Sequence, residues 1–465
     1  MNSGFLTKTN FGIIVIVLVA LLTAFVIVVG IPWITVVKLG LLLAGFVVLV
    51  QKPYLSLKAI IIFLPFLWSL GEIPILALGS FSINIPMLVG GVVFARYGYF
   101  LLVNHKNDKV INTLRILCII YMMLGIPTIL FSSSIVNGIG IYLRVYSPFV
   151  VLFAFYNYST TKKLALANIH SFGLAFFAIL GSYLIGVING DYLTTFGGLA
   201  RVRASYVPAT AWGGYLSVMV GILLISSIFV AGKAKKRVVF LGIVIVLVAL
   251  FLTYNRTGWV GALIVITATA FLQKREKTAR ILLLILILGI LVNFNTFTNS
   301  LLRYSNEYSE FTNLNQILSG RTTVNSVNLG YYLNQAPIEN KLFGIGYYNS
   351  SVISAKYYGL GLIVHNDFLI VLVEQGIFSF LAYLSFLVFL IYIVIRDYLT
   401  CRSIQWHDFL AAIIGLILMF IITGFVGNFY GRILNAWFLF GMVGIYLAYR
   451  RFILMDQMVE NELKD

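Results

Sequence analysis

MNSGFLTKTNFGIIVIVLVALLTAFVIVVG, residues Met1 to Gly30, decides what kind of chain this is. One lysine, Lys8, precedes an apolar run that exceeds the core of a secretory signal and shows no small-x-small cleavage pattern. The run reads as a membrane span, and it sets a ruler of about 20 apolar residues per crossing. Laid along the chain, the ruler marks spans at 11–29, 31–50, 57–78, 82–104, 111–132, 138–157, 164–188, 209–231, 237–254, 257–273, 280–296, 366–395, 408–427 and 431–449. The expected fold is an all-α polytopic membrane protein of about fourteen transmembrane helices, within a range of about 12–14. Composition agrees: 61% of residues are hydrophobic and 10% charged, far from the soluble globular average.

A net charge of +17 in a soluble chain would call for a nucleic-acid partner. In a membrane chain, basic residues anchor the cytoplasmic face, so no nucleic-acid partner is expected and the bilayer itself is the first partner. With the N-terminus inside, 20 of the 32 basic residues fall in cytoplasmic segments, among them Lys8, Lys162, Lys163, Lys233, Lys235, Lys236, Arg237, Arg450 and Arg451. The opposite face receives Arg201, Arg203, Arg256, Arg303, Arg321, Lys341, Lys356 and Arg432. Both termini are expected in the cytoplasm. Inside there are 13 lysines and 7 arginines, outside 2 lysines and 6 arginines. That bias has a chemical reading, because lysine is a hydrated point charge whereas arginine offers a planar fork matched to phosphate oxygens.

The connection between residues 298 and 365 is longer than the others and divides the chain into 1–297 (spans 1 to 11), 298–365 (a large extracytoplasmic loop) and 366–465 (spans 12 to 14 and a cytoplasmic tail). Loops of that length are functional or disordered. Val324, Val327 and Tyr331 recur at helical spacing behind Ser319 as a cap, and Pro337 ends the pattern, so the loop is expected to hold short amphipathic helices. The glycines of FGIGYYNS, from Phe343, permit close backbone approach.

Four outer segments carry the groups that could do chemistry: Arg201 and Arg203 in RVRASYVPATAWGGYL, Arg256 in TYNRTGWVGAL, Arg321 in SGRTTVNS, and His365 in VHNDFLIVLVEQG. In this reading the arginines stand at the outer ends of helices. Guanidinium groups at that depth suit a lipid-linked pyrophosphate, whose developing charge they would neutralise, and helix N-termini add amide donors. His365 has the right ordinary pKa for a base; its competing reading is a capping or interfacial histidine. Asn366 and Asp367 read as helix caps. Glu374, inside a span, requires a partner or a wet cavity, for which an arginine is a candidate. Tyr347 and Tyr348 are candidates for stacking on sugar rings, against the plainer reading as core or interface aromatics. Arg96, Arg115 and Arg144 either snorkel or line a cavity. Cys118 and Cys401 form no metal spacing.

RASYVPATAWGGYL, NRTGWVGAL, SGR, FGIGYYNS and HNDFLIVLVEQGIFS resemble, in kind and order, segments of the O-antigen polymerase and O-antigen ligase family, which includes capsule and exopolysaccharide polymerases. The resemblance covers residues 195–385; Val207-Pro208-Ala209-Thr210 stands where an asparagine-proline-asparagine is common in the family. It implies a glycosyltransferase in the cytoplasmic membrane that joins undecaprenyl-pyrophosphate-linked repeat units on the outer face by inverting transfer. Pyrophosphate binding then falls to Arg201 or Arg203, Arg256 and Arg321. Catalysis falls to His365 with Arg256 and Arg321, and Asn366, Glu374 and Tyr347 support them. It implies no cofactor. Flippase and chain-length-regulator proteins are the implied partners. A ligase that passes finished glycan to another acceptor, and a lipid-linked oligosaccharide flippase, are the alternatives. No Asp-x-Asp pair of the kind that holds a metal in nucleotide-sugar transferases occurs in the chain, so no metal is expected.

Overall fold

The computed structural model describes residues 51–69, 74–78, 81–103, 108–188, 190, 192–196, 199–203, 209–273, 281, 284, 321–358, 364–401, 403–427 and 433–462. The expected spans at 11–29 and 31–50, nearly all of 280–296, and the loop residues 298–320 lie outside this set. The chain divides into two compact units, Met1–Ile60 and Ile61–Asp465. Everything that bears on the site belongs to the second.

In chain order the helices are α1 (Pro53–Ser69), α2 (Ile85–Tyr97), α3 (Lys109–Leu124), α4 (Ile126–Leu130), α5 (Ile135–Tyr158), α6 (Lys162–Ile188), α7 (Ala209–Phe229), α8 (Lys233–Leu252), α9 (Arg256–Gln273), α10 (Arg321–Asn334), α11 (Ile338–Phe343), α12 (Asn349–Tyr358), α13 (Asp367–Thr400), α14 (Ile404–Val426) and α15 (Ile433–Glu462). Among the described residues six stretches are long and apolar enough to cross a membrane, at Lys109–Leu130, Ile135–Tyr158, Lys162–Ile188, Ala211–Phe229, Asp367–Thr400 and Ile404–Phe425. This is a largely helical, multi-pass membrane protein.

Two antiparallel hairpins interrupt the expected all-α plan. The first, β1 (Pro74–Leu78) with β2 (Phe81–Asn84), separates α1 from α2, where two long spans were expected at 57–78 and 82–104. The second pairs β3 (Leu193–Phe196) with β4 (Leu199–Val202). Each has a two-residue connection in sequence, Gly79-Ser80 and Gly197-Gly198, between short strand-forming runs, and glycine is what tight hairpin loops need. The second hairpin corrects a placement: Arg201 lies in β4 and Arg203 just beyond it, not at the start of α7, and β4 contacts α8.

Burial separates inner from outer helices. Within the candidate spans, α7 and α14 are each 78% buried and α5 72%, against 33% for the α3–α4 stretch and 39% for α6. The outer helices expose Leu174, Phe177, Leu184, Ile116 and Ile120, apolar side chains suited to lipid. At the centre α5 and α15 run side by side in the same direction. Trp437 Nε1 donates to Ser147 Oγ at 2.7 Å, Gly444 lies against the Leu152 carbonyl, and Arg451 donates to the Tyr156 carbonyl at 3.2 Å. The pairings advance together along both helices. At their far end Asp397 of α13 accepts from Arg450 Nε at 2.6 Å, from the Tyr446 hydroxyl at 2.8 Å and from its neighbour Arg396 at 2.9 Å. The turns 159–161 and 230–232, the end of α13 and the start of α14 share that end, and Lys233, Lys235, Lys236 and Arg237 at the start of α8 are exposed there.

Candidate functional site

The motifs found in the sequence gather at the other end of the bundle, where α8 ends and α7, α9 and α13 begin. The α8–α9 turn is tight. Tyr254 takes a left-handed backbone (φ 49°), Thr253 Oγ1 donates to the Leu250 carbonyl at 2.7 Å, and Trp259 Nε1 donates to the same carbonyl at 3.1 Å. Arg256 is thereby fixed as the first residue of α9. Gly213 and Gly258 let α7 meet this turn closely: a methyl on Gly213 would strike Asn255, and one on Gly258 would lie 2.6 Å from the Gly213 carbonyl.

The end of α14 joins this corner to the start of α13. A methyl on Gly427 would sit 3.2 Å from Thr257 Cγ2, next to Arg256, and one on Gly424 would sit 3.2 Å from Asp367. Asn366 caps α13, its side chain accepting from the Leu369 amide at 3.0 Å. His365 precedes it and is half-buried, beside fully buried Val364. Val364 and Ile370 in turn pack on Val324, one turn into the helix that Arg321 starts. Three of the predicted segments, those of Arg256, Arg321 and His365, are therefore linked through α14 and the apolar contact under α10. The fourth, with Arg201 and Arg203, reaches the group through the hairpin against α8.

A knot of glycines braces the His365 segment from below. The helical path of α13 breaks at Gly376 (φ 81°, ψ 174°), which frees the last carbonyls of its first half. The loop after α11 takes them: the amides of Ile345 and Gly346 donate to Val373 and Glu374 at 3.1 Å each. Gly344 (φ 89°) approaches so near that a methyl there would strike the Glu374 backbone, and a methyl on Gly376 would strike the Leu342 carbonyl. Both conformations are open to glycine alone at ordinary cost. From the other side, the Tyr347 amide donates to Ser132 Oγ at 3.0 Å, and Asn349 Nδ2 donates to the Phe131 carbonyl at 3.0 Å.

Glu374 is buried and accepts from the Ser350 hydroxyl and from the backbone amides of Tyr348 and Ser350. Its partner among the described residues is thus the N-terminus of α12, where a negative charge is favoured, and not the arginine that the sequence reading allowed. Tyr347 also differs from expectation. Its ring is 2% exposed, its hydroxyl lies 3.5 Å from the Gly125 carbonyl, and burial pushes its phenol well above the ordinary value. A ring so enclosed has no free face for a sugar; it packs the loop onto the α3–α4 break. The sequence reading missed Ser350, Gln375, which accepts from the Tyr146 hydroxyl at 3.0 Å, and the α13 break itself. Its available signal was the glycine that follows Glu374-Gln375, read together with the glycines of FGIG.

Residues 241–384 match the family model described as O-antigen ligase. The match begins within α8 and ends within α13, so it contains Arg256, Arg321, the glycine knot and His365. Over this segment the resemblance to the O-antigen polymerase and ligase family holds, and it points to a function of polymerase or ligase type. No curated protein matches the chain significantly.

Proposed function

We propose that the protein is a polysaccharide polymerase of the cytoplasmic membrane. It joins undecaprenyl-pyrophosphate-linked oligosaccharide repeat units on the extracytoplasmic face. The observation that carries this reading is the meeting of the Arg256, Arg321 and His365 segments at one end of the bundle, inside the family-matched region. The basic residues at the opposite end support the orientation, since cytoplasmic ends gather lysine and arginine.

The proposed reaction is a single displacement. An acceptor hydroxyl gives its proton to His365 as its oxygen bonds to the anomeric carbon of the donor glycan. The bond from that carbon to the lipid pyrophosphate breaks, and the electron pair leaves with the pyrophosphate oxygen. Inversion at the anomeric carbon follows from the single displacement. Arg256 and Arg321, helped by Arg201 or Arg203, neutralise the leaving group as charge builds. Asn366 and Glu374 position His365 by holding the first half of α13. No cofactor or metal takes part. Donor and acceptor lipid-linked glycans are the direct partners, with flippase and chain-length-regulator proteins working alongside.

The decisive experiment reconstitutes the purified chain in lipid with defined undecaprenyl-pyrophosphate-linked repeat units. A ladder of chain lengths is expected. The description of the matched family model favours one other reading, a ligase, for which the same assay gives a single transfer, and only when a different acceptor is added. Repeat units left unjoined under every condition would remove both.

A further inference from the structure

The three arginines inside spans have different surroundings. Arg115 Nη1 donates to the Leu102 carbonyl at 3.1 Å, and Arg96, in the last turn of α2, lies beside Tyr158, so both belong to the far end of the bundle. Arg144 does not. It is the tenth of the 24 residues of α5, about 4 Å to the site side of that helix's midpoint at a rise of about 1.5 Å per residue. A second helix gives a similar height: Phe149, one turn further on, meets Phe386 at 5.2 Å between ring centroids, and Phe386 lies near the middle of the 34-residue α13. Among the described residues the Arg144 guanidinium makes no hydrogen bond, ion pair or ring contact, and its Nε is enclosed without a partner. Yet the side chain is reachable. Ile141, Tyr142, Leu143 and Arg144 are all half-buried, whereas every residue from Val145 to Tyr156 is buried, and Asn137, two turns nearer the site end on the face of Arg144, is exposed. At this height α5 comes to the surface of the bundle.

An ionised arginine in the middle of a bilayer is costly, and such residues are nearly always paired. Depth decides with what. The hydrocarbon core is about 30 Å thick, so a charge about 4 Å from its centre lies about 11 Å below the nearer headgroups. A snorkelling arginine spans about 7 Å, which leaves lipid phosphates and the pyrophosphate of a lipid-linked glycan out of reach. The complement at that depth is a carboxylate carried on another helix, which the guanidinium fork grips through two parallel hydrogen bonds. The described spans of this chain have none to spare. Glu374 accepts from Ser350 and Asp397 from Arg450, while Asp367 and Asp408 stand near the starts of their helices. A second copy of the chain therefore does not complete the pair. We propose that Arg144 marks a lateral docking site for a membrane-spanning helix of a different protein, one that carries an aspartate or glutamate at its centre. Such docking holds whether the protein polymerises or ligates.

The test places the purified full chain in liposomes with three synthetic spanning peptides of leucine and alanine, alike except for a central glutamate, glutamine or leucine. Association is read as energy transfer from a dye on the peptide to one on the protein, at a low ratio of peptide to lipid. The glutamate peptide should associate on the order of tenfold more tightly than the leucine peptide, the factor expected of one strong polar contact between helices. The glutamine peptide should fall between them. Arg144→Leu should erase the glutamate advantage, and Arg144→Lys should keep part of it because the charge remains. Without peptide, Arg144→Leu should melt no lower than the unaltered protein, since it removes an unpaired charge from apolar surroundings. Equal association of the glutamate and leucine peptides with the unaltered protein overturns the docking site, as does an advantage that survives in Arg144→Leu. A lowered melting temperature of Arg144→Leu also overturns it, being the mark of an arginine paired inside the fold. Arg144→Cys, in a chain lacking the native cysteines, should resist a water-soluble thiol reagent in liposomes without peptide. Rapid labelling would reveal a water-filled crevice that hydrates the charge, and the docking site would fall.

Discussion

Arginine and lysine carry the same charge, so exchanging them isolates geometry. Arg256→Lys and Arg321→Lys should each lower polymerisation on the order of a hundredfold, because the planar fork that grips two phosphate oxygens is lost while the charge remains. Near-normal product from both, at matched protein level, would leave the two arginines as interface residues. His365→Ala should fall comparably with the protein still inserted, and a fully active variant would remove it as base. Tyr347 belongs to a different class. Because its ring is enclosed and its hydroxyl meets groups inside the fold, the Gly125 carbonyl at 3.5 Å and the Tyr146 phenol, Tyr347→Phe should retain activity, whereas Tyr347→Ala should lower the melting temperature by opening a cavity beneath the loop. Loss of activity in the phenylalanine variant without loss of stability would restore a role at the substrate. Metal dependence is also set by single residues. The acidic residues assigned to the outer face by the sequence are Asp191, Glu307, Glu310, Glu339 and Asp367, and none stands in an arginine motif. Polymerisation should therefore continue in excess chelator, and abolition with rescue by magnesium or manganese would refute the arginine-only chemistry.

At the scale of elements, the broken helix α13 governs the site. Gly376→Ala forces a side chain into a backbone conformation that L-residues avoid, at a cost of about 1–3 kcal/mol before any clash is counted. A clear fall in thermal stability is expected, with loss of activity, and an unshifted melting curve would mean that the break is not there. The helices themselves were legible in the sequence: the edges of α5, α6 and α9 fall within a few residues of expectation, and the loop helix from Arg321 to Asn334 follows the spacing of Val324, Val327 and Tyr331. The hairpins were not, because an average over about 20 residues cannot register strands of four or five. The same averaging hid the break in the run from 366 to 395. As for the site, its corners were visible as charged residues at helix ends, but Ser350 as the partner of Glu374 was not. That contact joins residues 24 positions apart through the start of a short helix, and no local pattern announces it.

Across the whole molecule, about 45 Å of helix separates His365 from Asp397, and the two ends of α13 are held by opposite means. At the site end backbone bonds and glycines do the work; at the far end a buried carboxylate gathers Arg450, Tyr446 and Arg396. Asp397→Asn leaves Arg450 enclosed without a full counter-charge, and should destabilise by about 3–5 kcal/mol, measured as a lowered melting temperature in detergent. An unchanged melting temperature would show that water reaches the pair. Orientation is testable on the same scale. In a chain lacking Cys118 and Cys401, cysteines at Ser326 and Ala355, both exposed, should react with an impermeant thiol reagent on intact cells. Labelling only after permeabilisation would place the site on the cytoplasmic face.

The glycine knot also makes a genetic forecast. At Gly140 an added methyl meets the flexible tip of Met87, so a defect caused by Gly140→Ala is open to intragenic suppression by a smaller residue at 87. At Gly344 and Gly376 the obstacle is main chain, the Glu374 and Leu342 carbonyls, and no second-site exchange of one side chain removes a carbonyl. Selection for revertants of Gly376→Ala should return only restored glycine codons, while the same selection at position 140 returns compensating changes.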